Sequence, residues 1–371
     1  MTCHRQGHRY PDRQTRSIFG IALFKREIVM RRISIEEHFF TEPYLEYLYA
    51  RKDCPRYERV EDENHRKMTR IWETPSLPPS VVGSDRQNRT GQLLDLAEGR
   101  LNEMDKAGVD VAVLSLGNPG VDAFDEPDGS LWARKTNDEL AGAVRRYPKR
   151  FAGLAALAPK GPRGAADELK RAVTELGLKG ALINSHIQGE YLDDRKFWVI
   201  FETAERLDVP LYIHPRWPSP DMLKLYLPYP GLHRAMWGFA AETGLHAMRL
   251  IMSGVFDRYP GLKIILGHLG EALPFWLWRM DNKCPPSLGR DINRRPSEYI
   301  KHNFLMTTSG MFSRPPFLCT YMSLGAENIL FATDYPFEPI EEAVDFMDSV
   351  PICESDKEKI YHLNAEKLFG L

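Results

Sequence analysis

The sequence has no excess of charge of either sign. Its 49 Lys and Arg residues nearly balance 51 Asp and Glu, a net charge of −2 with His neutral. Nothing therefore marks it for a nucleic-acid backbone or an anionic membrane surface. No apolar run approaches the roughly 20 residues needed to span a bilayer. Cysteine is scarce: Cys3, Cys54, Cys284, Cys319 and Cys353 are an odd number, far apart, with no CxxC pair. That argues against a disulfide framework and a cysteine-built zinc site, and for a reducing, cytoplasmic location. Internal repeats and low-complexity tracts are missing. So is a glycine-rich phosphate loop after the first apolar β-run, which counts against a doubly wound dinucleotide-binding sheet.

What is present is an ordinary globular balance, 43% hydrophobic and 27% charged. Residues 1–32 are basic, with Arg5, Arg9, Arg13, Arg16, Lys25, Arg26, Arg31 and Arg32 against Asp12 and Glu27. We read 1–30 as a flexible N-terminal extension and 31–371 as a single domain. Eight short β-branched runs then follow, at 33–38, 109–116, 151–157, 180–184, 210–214, 263–268, 304–308 and 329–334. Segments of helical period separate them, among them 91–106, 131–147, 164–176, 196–207, 232–256, 273–282 and 340–349. Strands alternating with helices imply βαβ units, and continuously apolar strands imply burial on both faces. Eight units predict an α/β fold, a (β/α)8 TIM-type barrel. Residues 41–90, rich in Arg, Glu, Tyr and Pro, break the pattern and read as a long insertion after strand 1.

In a parallel barrel the carboxyl ends of all strands meet on one face, so polar residues ending apolar runs are the ones to inspect. Glu36 and His38 share a face of strand 1 at spacing i, i+2. His214 ends Pro210-Leu-Tyr-Ile-His, His268 ends Ile264-Ile-Leu-Gly-His, and Asp334 ends Ile329-Leu-Phe-Ala-Thr-Asp. Singly, each has a structural alternative: a hydrogen-bonded strand-end histidine, an arginine partner for Glu36, a helix cap at Asp334. Together, two carboxylates and three histidines buried without a cation would carry a heavy desolvation cost. The set predicts a mononuclear site of mixed N and O ligands, suited to Zn²⁺, Mn²⁺ or Fe²⁺. Glu37, off the inward face, reads as structural. His186 reads as a loop residue and His246 as packing.

The motifs Glu36-Glu-His-Phe39, His214-Pro-Arg216, Gly267-His-Leu-Gly-Glu271 and Thr333-Asp-Tyr-Pro-Phe-Glu338 resemble those of the metal-dependent non-oxidative aromatic acid decarboxylases of the amidohydrolase superfamily. That group includes γ-resorcylate, 2,3-dihydroxybenzoate and 5-carboxyvanillate decarboxylases, beside aminocarboxymuconate semialdehyde decarboxylase. The resemblance runs from Arg32 to Leu371. It implies one divalent ion, Mn²⁺ or Zn²⁺, ligated by Glu36, His214 and Asp334, with His38 a further ligand. It also implies His268 near the metal, oriented by Glu271, and substrate contacts from Arg279, Asn184 and Arg86.

The implied reaction decarboxylates an ortho-hydroxybenzoate by protonating the ring carbon that bears the carboxylate, with Asp334 as the proton donor. Phe39, Trp217 and Trp237 are candidates for an aromatic wall. The alternative is a metal-bound hydroxide in a hydrolase or hydratase acting on an amide, ester or lactone. Glu36-x-His38 stands where many such hydrolases carry His-x-His, which disfavours it. The expected partners are a small aromatic acid and further copies of the chain, with no nucleic acid and no membrane. Bulky apolar segments at 225–232 and 276–278 point to a dimer interface, and the resemblance implies a dimer or tetramer.

Overall fold

A computed structural model describes residues 30–284 and 292–371, without the side chains of 84–88. The basic segment expected to be a flexible extension thus lies outside the described residues, apart from Met30. In chain order the strands are β1 (Ile33–Phe39), β2 (Arg56–Glu61), β3 (Lys67–Trp72), β4 (Ser80–Val82), β5 (Val111–Leu116) and β6 (Phe151–Gly153), then β7 (Ala155–Ala156), β8 (Ala181–Asn184), β9 (Leu211–His214), β10 (Ile264–Leu266), β11 (Phe304–Thr307) and β12 (Ile329–Leu330). β1, β5 and β6 form one parallel sheet, and β7 to β12 form another in sequential order. Parallel neighbours need crossovers, and helices supply them, including Asp128–Arg146, Pro162–Thr174, Trp198–Leu207 and Gly238–Met252. Helix Pro162–Thr174 buries Ala165, Ala166, Leu169 and Ala172 on one stripe and begins with proline at its first turn, where no N–H is needed.

β1, β5, β8 and β9 are buried along both faces, as their continuous apolar runs require. Ile33, Ile35, Val111, Val113, Leu154, Leu182, Tyr212, Ile265 and Leu330 form one interior cluster. Backbone bonds run between the two sheets. Leu154 N donates to Leu114 O (2.9 Å) and Ala155 N to Gly180 O (2.9 Å). On the other side Ile35 N donates to Phe331 O (3.1 Å), His38 N to Tyr335 O (2.8 Å) and Asp334 N to Glu36 O (3.0 Å). The β1 register slips between Ser34 and Glu37. Such an irregularity re-aims side chains: Ile35 packs in the interior, yet the next residue, Glu36, also reaches Tyr212.

Several boundaries differ from the periodicity. Residues 41–90 hold helix Glu42–Ala50, the antiparallel sheet β2-β3-β4 and helix Ser84–Leu94. The segment 91–106 is two helices, because Asp95 turns the chain and accepts from Ala97 N (2.8 Å) ahead of Glu98–Ala107. The segment 232–256 is helical only from Gly238, and Gly254, at φ 79°, separates Gly238–Met252 from the short turn Val255–Arg258. No described helix is long and apolar enough to cross a membrane. Cys54, Cys284, Cys319 and Cys353 are free thiols.

Candidate active site

Glu36, His38 and His214 converge from the ends of β1 and β9. All three are buried, and their donor atoms lie within 4.8 Å of one another. His214 Nε2 stands 3.3 Å from Glu36 Oε1, and His38 Nε2 stands 3.7 Å from the same oxygen. The other atoms of these groups are already engaged. Tyr212 OH and Thr307 Oγ1 both donate to Glu36 Oε2, the latter at 3.3 Å. His214 Nδ1 meets Asn184 Oδ1 at 2.9 Å, and His38 Nδ1 meets Ser115 Oγ at 3.4 Å. Glu36 Oε1 and His38 Nε2 are left buried without a hydrogen-bond partner. A buried carboxylate oxygen and imidazole nitrogen aimed at one point are what a divalent cation requires of its ligands, so the residues present fit a metal ion.

Electrostatics agree with a cation-seeking site. Burial works against the charged form of Glu36, but the imidazoles of His214 and His38 outweigh it and hold its pKa well below the usual range. Burial likewise opposes a proton on His38, yet Asp334 and Glu36 raise it to about 9. His214 goes the other way, lowered chiefly by burial.

Asp334 stands beside this group, Oδ1 3.2 Å from His38 Nε2, with a backbone at φ 66°. His268 is not at a strand end. It opens a turn in which His268, Leu269, Gly270, Glu271 and Ala272 all have positive φ. Left-handed backbone costs about 1–2 kcal/mol per non-glycine residue, so this turn stores strain near the site. The result is that Glu271 Oε1 returns to His268 Nδ1 at 2.7 Å. Burial disfavours its proton, but the charge of Glu271, with Glu36 and Asp334 beyond, raises His268 to about 10. Gly310 lies between the two groups: a Cβ there would sit 3.0 Å from His268 Cδ2 and 3.3 Å from Asp334 Oδ2. Asp334 and the His268–Glu271 pair thus flank three inward donors, an arrangement able to hold a cation and move a proton beside it.

The remaining expected residues are placed differently. Asn184 is buried and engaged with His214 and Asp122. Phe39 is buried one residue beyond His38, so strand alternation turns it to the other face. The aromatic ring against His38 is Phe337, at 5.3 Å between centroids, with Arg89 over it at 5.7 Å. Arg279 is exposed on helix Leu273–Asn282. The Arg86 side chain lies outside the described residues. Trp237 is 61% exposed, and Trp217 packs with Leu77 and Leu223 instead. Glu37 faces Arg100 (3.7 Å) and accepts from Thr333 Oγ1, away from the donors. Sequence reading missed Tyr212, Ser115 and Phe337. Alternation from His214 would have found Tyr212, two residues earlier on the same strand.

The amidohydrolase family model matches residues 72–371. The chain is 42% identical over 303 residues to a γ-resorcylate decarboxylase from Polaromonas sp. strain JS666, covering 78% of this chain and 92% of that one. Among solved structures it is similar to 5-carboxyvanillate decarboxylase LigW from Sphingomonas paucimobilis, at TM-score 0.81 and 38% identity over 92% of this chain and 99% of that one. It is also similar to a dihydroxybenzoic acid decarboxylase from Polaromonas sp. JS666 bound to manganese and the inhibitor 2-nitroresorcinol. There the TM-score is 0.80 at 37% identity, over 92% of this chain and 97% of that one.

Proposed function

The chain belongs to the amidohydrolase family, and we propose that it is a metal-dependent, non-oxidative decarboxylase of an ortho-hydroxybenzoate. One observation carries the reading: Glu36 Oε1 and His38 Nε2 are buried and unpartnered, beside His214 Nε2, in a chain so similar to manganese-bound aromatic acid decarboxylases. Glu36, His38 and His214, with Asp334 beside them, would hold one divalent ion, Mn²⁺ or Zn²⁺. When bound, that ion would supply positive charge to stabilise the negative charge on the substrate's oxygens. Asp334 gives its proton to the ring carbon bearing the carboxylate. The C–C bond then breaks, its electron pair restores the aromatic ring, CO₂ leaves, and Asp334 regains a proton from solvent. His268, held by Glu271, would serve as a cationic donor to the reacting carboxylate. Arg279, on helix Leu273–Asn282, which begins two residues after Glu271, is assigned as the carboxylate clamp.

The same reading extends to architecture and assembly. The bonds linking the two parallel sheets on both sides support a closed (β/α)8 barrel, with residues 41–90 as an insertion after β1. Phe275, Trp276 and Trp278, at 73%, 45% and 75% exposure, and Leu225, Tyr229 and Trp237 support a second copy covering this surface as a dimer or tetramer. Free cysteines support a cytoplasmic location. The test is incubation of Mn²⁺-loaded protein with a panel of hydroxybenzoates, following ring ultraviolet absorbance and CO₂. CO₂ released in step with acid consumed, from γ-resorcylate or a relative, is expected. Hydrolysis of an ester or lactone panel with no CO₂ from any benzoate would overturn the reading.

A further inference from the structure

Asp122 belongs to none of the motifs that mark the site. It lies in the short turn Val121–Ala123 after β5, and it is buried. Its Oδ2 accepts from Asn184 N (2.7 Å) and from Asn184 Nδ2 (3.0 Å). A carboxylate has only acceptors to offer, so it draws the NH₂ side of the Asn184 amide toward itself. The other side of the amide, Oδ1, is thereby turned to His214 Nδ1 at 2.9 Å. An amide oxygen only accepts, so Nδ1 must carry the ring proton, and Nε2 keeps its lone pair toward Glu36.

The turn is shaped around this chain of bonds. Gly120 has φ 72°, and a Cβ there would lie 2.2 Å from Asn184 Nδ2 and 2.9 Å from Asp122 Oδ1. No other residue type fits between them. Charge is balanced locally. Arg216 Nη1 lies 3.7 Å from Asp122 Oδ1, donates to His186 O at 2.9 Å and Asn184 O at 3.4 Å, and sits two residues after His214. The carboxylate thus comes from the turn after β5, and the amide and the imidazole from the ends of the paired strands β8 and β9.

We propose that Asp122 is a positioning residue for the metal centre, acting through Asn184 to hold His214 as the Nδ1–H tautomer with Nε2 presented to the cation. Asn184 is then not a substrate contact. This rests on reading Glu36, His38 and His214 as metal ligands. Partners that orient a metal-binding histidine are typically worth roughly 10- to 100-fold in metal affinity.

The test uses the full chain and Mn²⁺ itself, with affinity measured by competition against a chelator. Asn184→Leu removes the acceptor, and Asp122→Asn removes the group that sets the amide's orientation. Both variants should bind Mn²⁺ roughly 10- to 100-fold more weakly than wild type, with an unchanged far-ultraviolet circular dichroism spectrum. Wild-type affinity in both variants would overturn the relay. Failure of the wild type to bind Mn²⁺ would instead overturn the metal reading, and the relay with it. A second measurement needs no variant: nitrogen-15 spectra of histidine-labelled, metal-free wild type should show His214 protonated at Nδ1. An Nε2–H signal there would refute the proposal.

Discussion

His38 and His214 lie at the ends of β1 and β9, while His186 and His246 lie in a polar layer formed by residues 185–192, 217–219 and 242–246. All four are buried. In the polar layer both ring nitrogens of each histidine are engaged. His186 Nδ1 accepts from Gly189 N (3.0 Å) and its Nε2 meets Trp217 O (3.1 Å). His246 Nε2 accepts from Leu192 N (3.1 Å) and its Nδ1 meets Ser185 Oγ (3.1 Å), which in turn donates to Glu242 Oε1 (3.2 Å). Burial, aided by Arg216 and Arg249 respectively, lowers both to about 3, so these rings are neutral connectors. At the strand ends each ring uses Nδ1 alone and turns Nε2 toward Glu36. What separates a site from its scaffold is an inward Nε2 aimed at shared carboxylates, Glu36 for both rings and Asp334 for His38, not the presence or burial of histidine.

The sharpest way to break that contrast is to exchange the effects of the two groups. His214→Ala should reduce decarboxylation to background and lose stoichiometric Mn²⁺, because the centre loses a ligand. His246→Leu should leave Mn²⁺ binding intact and lower stability by about 1–3 kcal/mol, since Leu192 N and Ser185 lose a buried partner. Thermal melts and metal analysis of both proteins decide it. If His246→Leu empties the metal site while His214→Ala does not, the comparison is wrong. Between these lies Asp334→Asn, which keeps size and some ligating power but removes the transferable proton. Turnover should fall by at least roughly 100-fold with metal partly retained, and wild-type product made in heavy water should carry deuterium at the vacated ring carbon. Normal turnover in the Asn variant would pass the proton's role to His268.

The smallest effect concerns Glu36 and Glu37, adjacent buried carboxylates on opposite faces of β1. Burial raises Glu37 to about 7, against the pull of Arg100. Its folded pKa exceeds the ordinary 4.5, so the folded state holds this proton more tightly. The associated stability is complete at about pH 4 and is lost as pH rises through about 7. Glu37→Gln should therefore flatten the fall in melting temperature between about pH 5 and pH 8. An unchanged slope would show that Glu37 does not titrate there.

Much of the site was legible because strand alternation and strand-end position act within a few residues. Glu36 and His38 share a face, His214 ends an apolar run, and His268 and Glu271 are three apart. The left-handed turn that joins this last pair has no hydrophobic signature, so His268 was read as a strand end. The bonds of Asn184 to Asp122 and His214 were not legible, because those partners are 62 and 30 residues away and meet it only through the folded sheet. The sheet β2-β3-β4 escaped notice because Arg56–Glu61 and Lys67–Trp72 are half exposed and charged, with no apolar alternation to mark them. Phe337 went unnoticed because which aromatic faces His38 is set by where the chain after β12 crosses β1.

The central claim is tested most directly by stripping the protein with a chelator and titrating Mn²⁺ back while following CO₂ from γ-resorcylate. The account predicts no CO₂ from stripped protein and a rate that climbs to a plateau at one Mn²⁺ per chain. Full decarboxylation by protein shown by elemental analysis to hold no metal would contradict it.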